Sequence, residues 1–162
     1  MGGKIMSLPL PPLVPFCGNW VNYIETIYAI YTDTILNSGL HINHIPIRPR
    51  YTPETQGKEF GFWHITSTGE EEDDRQPDLR RCERIRWIKW TIENFAQFSE
   101  VSYWEETRAN TTEIVIWIES EQYVVVLSER RDYWLLKTAY LANKSGKIRQ
   151  LTRNRNKFQK SE

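Results

Sequence analysis

The chain has 162 residues, enough for one domain with a real core, and 40% of them are hydrophobic. Basic and acidic residues number 21 each, so the formal net charge is zero. Two cysteines, Cys17 and Cys82, far apart and without metal-ligand spacing, exclude a disulfide framework and make a reducing cytoplasm the default. No apolar run approaches about 18 residues, which excludes a membrane-spanning helix.

The neutral total hides uneven charge. Glu70 to Asp78 holds six acids and one Arg, whereas Arg80 to Lys89 holds five bases and one acid. Lys144 to Lys160 holds seven bases and no acid. Local sign matters more for partners than the sum. Aromatic content is 13%, with seven Trp, which suits either a Trp-rich core or a stacking groove.

Residues 1–17 are Pro-rich, lack a signal-peptide core and read as an irregular, flexible lead-in. A single domain is expected over 18–160. From Trp20 the apolar residues Ile24, Ile27, Tyr28, Tyr31 and Ile35 recur at spacings of three and four, the mark of an amphipathic helix. Gly39 is a fitting C′ residue for it. Pro46, Pro49, Pro53 and Gly57 exclude a long helix next, and Ile45 and Ile47 fit a short edge strand, where Pro is tolerable. Phe60–Ser67 reads as a short strand or a buried turn. Thr68–Pro77 reads as an acidic exposed loop. Asp78 is a good N-cap for a helix starting at Leu79. That helix is expected to run to about Phe95, with a break near Trp87.

Three alternating runs follow: Ile114, Ile116 and Ile118; Tyr123, Val125 and Leu127; and Trp134, Leu136, Thr138 and Tyr140. Short polar connections join them, which predicts a β-meander, with Val101–Thr107 as a further strand. Apolar residues on both faces predict a sheet covered on at least part of both sides. Gly146 then opens a basic C-terminal helix, Lys147 to about Phe158. The fold class is therefore α+β: N-terminal helices packed on a four- to five-stranded antiparallel sheet, with a basic C-terminal helix.

Nucleotide motifs GxGxxG and GxxxxGK[ST] are absent, as are CxxC and HExxH. His41 and His44 are three apart, but Pro46 argues against a helix that pairs them as metal ligands. Neither a metal nor a cofactor is expected. His64, within FGFWHITSTG, is either a structural histidine or a general acid or base, since imidazole titrates near neutral pH. Thr66 and Ser67 are candidates to orient it or to bind phosphate. Arg80, Arg81, Arg84 and Arg86 fall in one predicted helix. They suit phosphate through bidentate guanidinium contacts, or pair with the acidic loop Glu70–Asp74. Thr138 and Tyr140 share one strand face; Lys137 points the other way unless the strand twists or bulges. Lys144, Lys147, Arg149, Arg153, Arg155 and Lys157 form a basic tail, read as a nucleic-acid backbone contact or as a solvated helix.

Three segments together prompt a family comparison: GKEFGFWHITSTG (57–69), PDLRRCERIRWIKWTIEN (77–94) and YWLLKTAYLANKSGKIRQL (133–151). In this order the chain resembles, over roughly residues 20–158, small proteins of the phage-type branch of the barnase–EndoU–colicin–RelE-like nucleases. The resemblance implies N-terminal helices against an antiparallel sheet. It also implies metal-independent, toxin-like RNA cleavage, with RNA as substrate and an antitoxin or immunity protein as a second partner. The residues carried over are His64, Arg81, Arg84, Thr138 and Tyr140, which should converge on one cleft. Beside them Arg80, Trp87, Lys144, Lys147 and Arg149 are the expected RNA contacts, with Trp63, Trp87 or Trp134 stacking a base. This sequence departs from the family in having no Pro within Ile88–Thr91, and in Lys137, where a hydrophobic residue is common. Two other readings stand beside it: a catalytically inactive RNA- or protein-binding module of the same fold, and a structural protein whose arginines pair with the acidic loop.

Overall fold

A computed structural model describes residues 8–68 and 76–159. Helix α1 (Trp20–Tyr31) starts at Asn19, whose side chain accepts from the Asn22 N–H, and continues as a π-helical turn through Thr32–Leu36. Ile24, Ile27 and Tyr31 of the spaced set are buried, with Tyr23 beside them, whereas Trp20 at the start is exposed. Gly39 follows with φ +68°, the left-handed conformation that ends a helix cheaply only at Gly or Asn. Residues 8–17 form no helix or strand, yet they are pinned. Val14 N–H donates to Glu83 O at 2.9 Å, and Tyr23 Oη and Trp87 Nε1 donate to Val14 O and Pro11 O at 2.7 Å each.

Strands β1 (His41–Ile42) and β2 (Ile45–Arg48) come next. The expected edge strand at Ile45–Ile47 is instead interior. β2 lies between β1, antiparallel, and β8, with which it runs parallel through Ile47↔Trp134 and Arg48↔Leu135. Pro46 is tolerated because Ile47 N–H donates to Leu40 O on the β1 side, so the Pro46 nitrogen faces the other way, ahead of the β8 pairing that starts at Ile47.

Phe60–Thr66 is helix α2, not a strand or turn. Phe62, Ile65 and Thr66 are buried on one side, and a run of seven residues is too short for periodicity to separate helix from strand. Two-residue strands β3 (Ser67–Thr68) and β4 (Gln76–Pro77) pair antiparallel. The rest of the predicted acidic loop, residues 69–75, lies outside the described residues.

Asp78 caps α3 (Leu79–Glu83), its side chain accepting from the Arg81 N–H. The helix breaks at Arg84 rather than near Trp87. Arg84 adopts φ −100° and ψ 16° and joins α3 to α4 (Ile85–Asn94). No Pro or Gly marks the break. The arginines therefore do not share one helix: Arg80 and Arg81 lie on α3 and Arg86 on α4.

Strands β5 (Val101–Arg108), β6 (Thr111–Ile118), β7 (Tyr123–Glu129) and β8 (Trp134–Leu141) form the meander, and α5 (Ser145–Gln159) closes the chain. The sheet order is β1-β2-β8-β7-β6-β5. The fold is α+β as expected. The sheet has six strands, however, and is mixed, because β2 returns alongside β8 in parallel.

Alternation assigns the two sheet faces. Ile114, Ile116 and Ile118 with Tyr123, Val125 and Leu127 enter a core with α1 and α4. Val115, Trp117, Val124 and Val126 enter a second core with Leu151 of α5. Burying one such aliphatic side chain contributes roughly 1.5–3 kcal/mol. Arg155 ties α5 to the sheet, donating to Glu119 Oε2 and Ser102 Oγ at 3.1 Å each and lying 4.8 Å from the Trp117 ring centroid. No helix among the described residues is long and apolar enough to cross a membrane.

A cationic cleft on the sheet

A β-bulge decides what the second sheet face presents. Along β8 the register runs Val126↔Thr138 and then jumps to Leu127↔Leu136, leaving Lys137 as the extra residue. Trp134 and Leu136 point into the first core, and so does Ala139, three rather than two residues on. Lys137 and Thr138 therefore lie on the same face as Tyr140. Simple parity put Lys137 on the opposite face; the bulge reverses this.

The cleft encloses about 340 Å³. Its floor is the sheet: Glu106 and Arg108 from β5, Glu113 from β6, and Lys137, Thr138 and Tyr140 from β8. One wall is α5, through Lys147, Gln150 and Asn154. The other is His64 of α2 and Arg81 of α3. His64 is held from two helices: its ring stacks on Phe60 of α2 at 5.8 Å, and its carbonyl accepts from Arg81 Nη1 of α3 at 3.1 Å. That bond joins the two residues of this wall. Gly61 lets α2 sit close to the preceding chain, since a Cβ there would stand 3.0 Å from Pro49 Cβ.

Two carboxylates lie buried beneath the cations. Glu113 Oε2 accepts from Lys137 Nζ at 2.5 Å. Glu106 accepts from Trp104 Nε1 at 2.8 Å and from Arg108 Nε at 3.0 Å. Each acid thus holds one cation at the cleft surface. Burial pushes the Tyr140 hydroxyl up to about 12, against the opposing pull of Arg81. The phenol therefore stays protonated at neutral pH and is available as a hydrogen-bond donor. Lys147, whose Nζ lies 5.4 Å from the Tyr140 ring centroid, is shifted down by burial and then by the charge of Arg108. Among the described residues, Arg81, Arg108, Lys137 and Lys147 stand against two covered acids, which gives this lining a cationic balance.

Of the five residues expected to converge, His64, Arg81, Thr138 and Tyr140 do so. Arg84 does not line the cleft. It donates to Arg80 O at 3.0 Å and to Glu83 Oε1 at 2.8 Å, with its guanidinium over Trp87. Trp87 and Trp134 are buried, so neither presents a face to a base. Trp63 lies outside the cleft, its Nε1 donating to Thr55 O at 2.8 Å. Arg80 and Lys144 line an adjoining hollow, whereas Arg149 is exposed and faces neither. The His41 and His44 rings stack 6.2 Å apart, and among the described residues no three His, Cys, Asp or Glu side chains cluster as metal ligands. Cys82 is buried, Cys17 is exposed, and both are free.

Glu106, Glu113 and Arg108 were not anticipated from the sequence. The signal was present: Glu106 shares strand parity with the buried Trp104, and Glu113 with Val115 and Trp117. A charged residue in phase with buried aromatics needs a buried partner. Comparison of the chain with protein-family models, with curated proteins and with solved structures returned no match.

Proposed function

We propose that the protein is an endoribonuclease, toxin-like in kind, which cleaves by attack of an RNA 2′-hydroxyl on the adjacent phosphodiester. The observation that carries this reading is the meeting of His64, Arg81, Thr138 and Tyr140 in one cleft with Lys137 and Lys147, from segments that are distant in the chain. His64 takes the 2′-hydroxyl proton, a task that suits imidazole at neutral pH. The freed oxygen bonds to phosphorus, and negative charge grows on the phosphoryl oxygens. Arg81, Arg108 and Lys137 are placed to stabilise that charge, in the role a metal ion fills elsewhere. The phosphorus–O5′ bond breaks, and the leaving oxygen takes a proton from Lys147, whose lowered pKa makes it a better acid than an ordinary lysine. Tyr140 and Thr138 hold the phosphate through their hydroxyls. The products are a 2′,3′-cyclic phosphate and a 5′-hydroxyl.

The test is incubation of the purified chain with end-labelled RNA in EDTA. The expected result is cyclic-phosphate ends, no cutting where the 2′-hydroxyl is replaced by hydrogen, and loss of cutting in His64→Ala. RNA that is bound but left whole would instead make the chain a binding module.

A further inference from the structure

A second hollow of about 400 Å³ adjoins the cleft, and Arg81, Tyr140 and Lys147 form the shared partition. Its further charged residues are Arg80, Lys144 and Asp78. The Asp78 carboxylate is engaged within α3, accepting from the Arg81 N–H at 3.1 Å and lying 3.9 Å from Arg81 Nε. Among the described residues, Arg80, Arg81, Lys144 and Lys147 face one acid, which caps a helix. Thr68 and Asn143 add a hydroxyl and an amide, neutral donors suited to phosphate or sugar oxygens.

We propose that this hollow is a second phosphate subsite, so that the protein takes single-stranded RNA with successive phosphates in the two hollows. The proposal rests on the ribonuclease reading for which hollow holds the scissile phosphate. The geometry favours a polyanion over a lone anion, because the two cationic hollows share a wall made of two cations and a phenol. A phosphate on either side of that wall contacts Arg81 and Lys147, which couples occupancy of one hollow to the other. Each hollow has the size of a small-molecule site, so one strand threads both, whereas a rigid duplex cannot bend into side-by-side pockets.

The experiment measures binding of fluorescent 2′-O-methyl RNA pools of random sequence, two or six nucleotides long. These lack the free 2′-hydroxyl, so binding is read without cleavage. The wild-type chain is expected to bind hexamers at least about tenfold tighter than dimers, since a hexamer reaches both hollows. In Arg80→Ala/Lys144→Ala that preference is expected to shrink to roughly threefold or less. The salt slope of hexamer binding should fall by about 0.7 for each phosphate that the variant no longer neutralises. Near-UV circular dichroism checks that the variant is folded, and Arg80→Lys/Lys144→Arg should restore the preference. Equal losses for dimer and hexamer, an unchanged preference, or no binding of either pool by the wild-type chain would overturn the subsite. The two readings separate cleanly. A hexamer preference that the double variant loses, in a chain that leaves unmodified RNA intact, keeps the subsite and removes the nuclease. Cleavage without any length preference does the reverse.

Discussion

Lys137 Nζ lies 2.5 Å from Glu113 Oε2, a contact that joins β8 to β6 across the intervening β7. The lysine is half exposed and the carboxylate is almost wholly buried. The bulge at Lys137 makes this reach possible by turning the side chain onto the cleft face.

Removing one partner of a buried pair leaves the other desolvated without compensation. Lys137→Met is therefore expected to lower stability by about 1–2 kcal/mol, a value reduced from the fully buried case because Lys137 is half in water. Glu113→Gln in the same background should recover most of the loss. Urea unfolding of the two variants and the double variant measures the coupling, and additive effects would show that the contact carries no stability.

Gly61→Ala places a Cβ 3.0 Å from Pro49 Cβ and 3.1 Å from Arg50 N and O. Crowding against backbone outweighs the gain in helix propensity. We expect a net loss of about 1–2 kcal/mol, which corresponds to a fall in Tm of roughly 3–6 °C for a chain of this size. Because α2 carries His64, cleavage should weaken further than the thermal shift explains.

His64→Ala is expected to lower kcat/KM for RNA by about 10²–10⁴, the usual contribution of a general base. Tm should change little, since the ring is only half-buried against Phe60. The opposite outcome, a large fall in Tm with cleavage intact, assigns His64 to structure.

Lys147 provides the pH dependence. Burial favours its neutral form, so its folded pKa lies below the ordinary 10.5. RNA affinity should fall as pH rises through that lowered value, earlier than for an exposed lysine. Lys147→Arg, which keeps its charge, should move this alkaline limb upward. The contribution to stability has the opposite sign. Between the lowered pKa and 10.5 the unfolded chain holds the proton that the folded one has released, so the Lys147 contribution to stability rises with pH across that window. Anisotropy titrations and urea melts from neutral to alkaline pH read the two trends separately.

Much of the fold was legible in the residues. The three-and-four spacing from Trp20, the N-cap at Asp78 and the alternation from Val101 to Tyr140 each arise from contacts between near neighbours in the chain. Local pattern carries such information because helix and strand periods act over a few residues. Helix α2 was not legible, because Phe60–Thr66 is short and apolar enough for either period and is held by the close approach of Pro49 and Arg50 to Gly61. The parallel place of β2 was not legible either. It depends on β8, some 90 residues later, and no local signal records that pairing.

The candidate site divides in the same way. His64, Arg81, Thr138 and Tyr140 could be named from their segments. Arg84 could not be excluded by spacing, since only the unmarked helix break turns it toward Glu83 and Trp87. The sequence alone determined helix α1, the cap at Asp78, the strands of the meander and the apolar residues that enter the core from β6 and β7. The tertiary structure decided that Lys137 joins Thr138 and Tyr140, because a register shift between two strands flips side-chain parity, and such a shift belongs to the pair of strands rather than to either one.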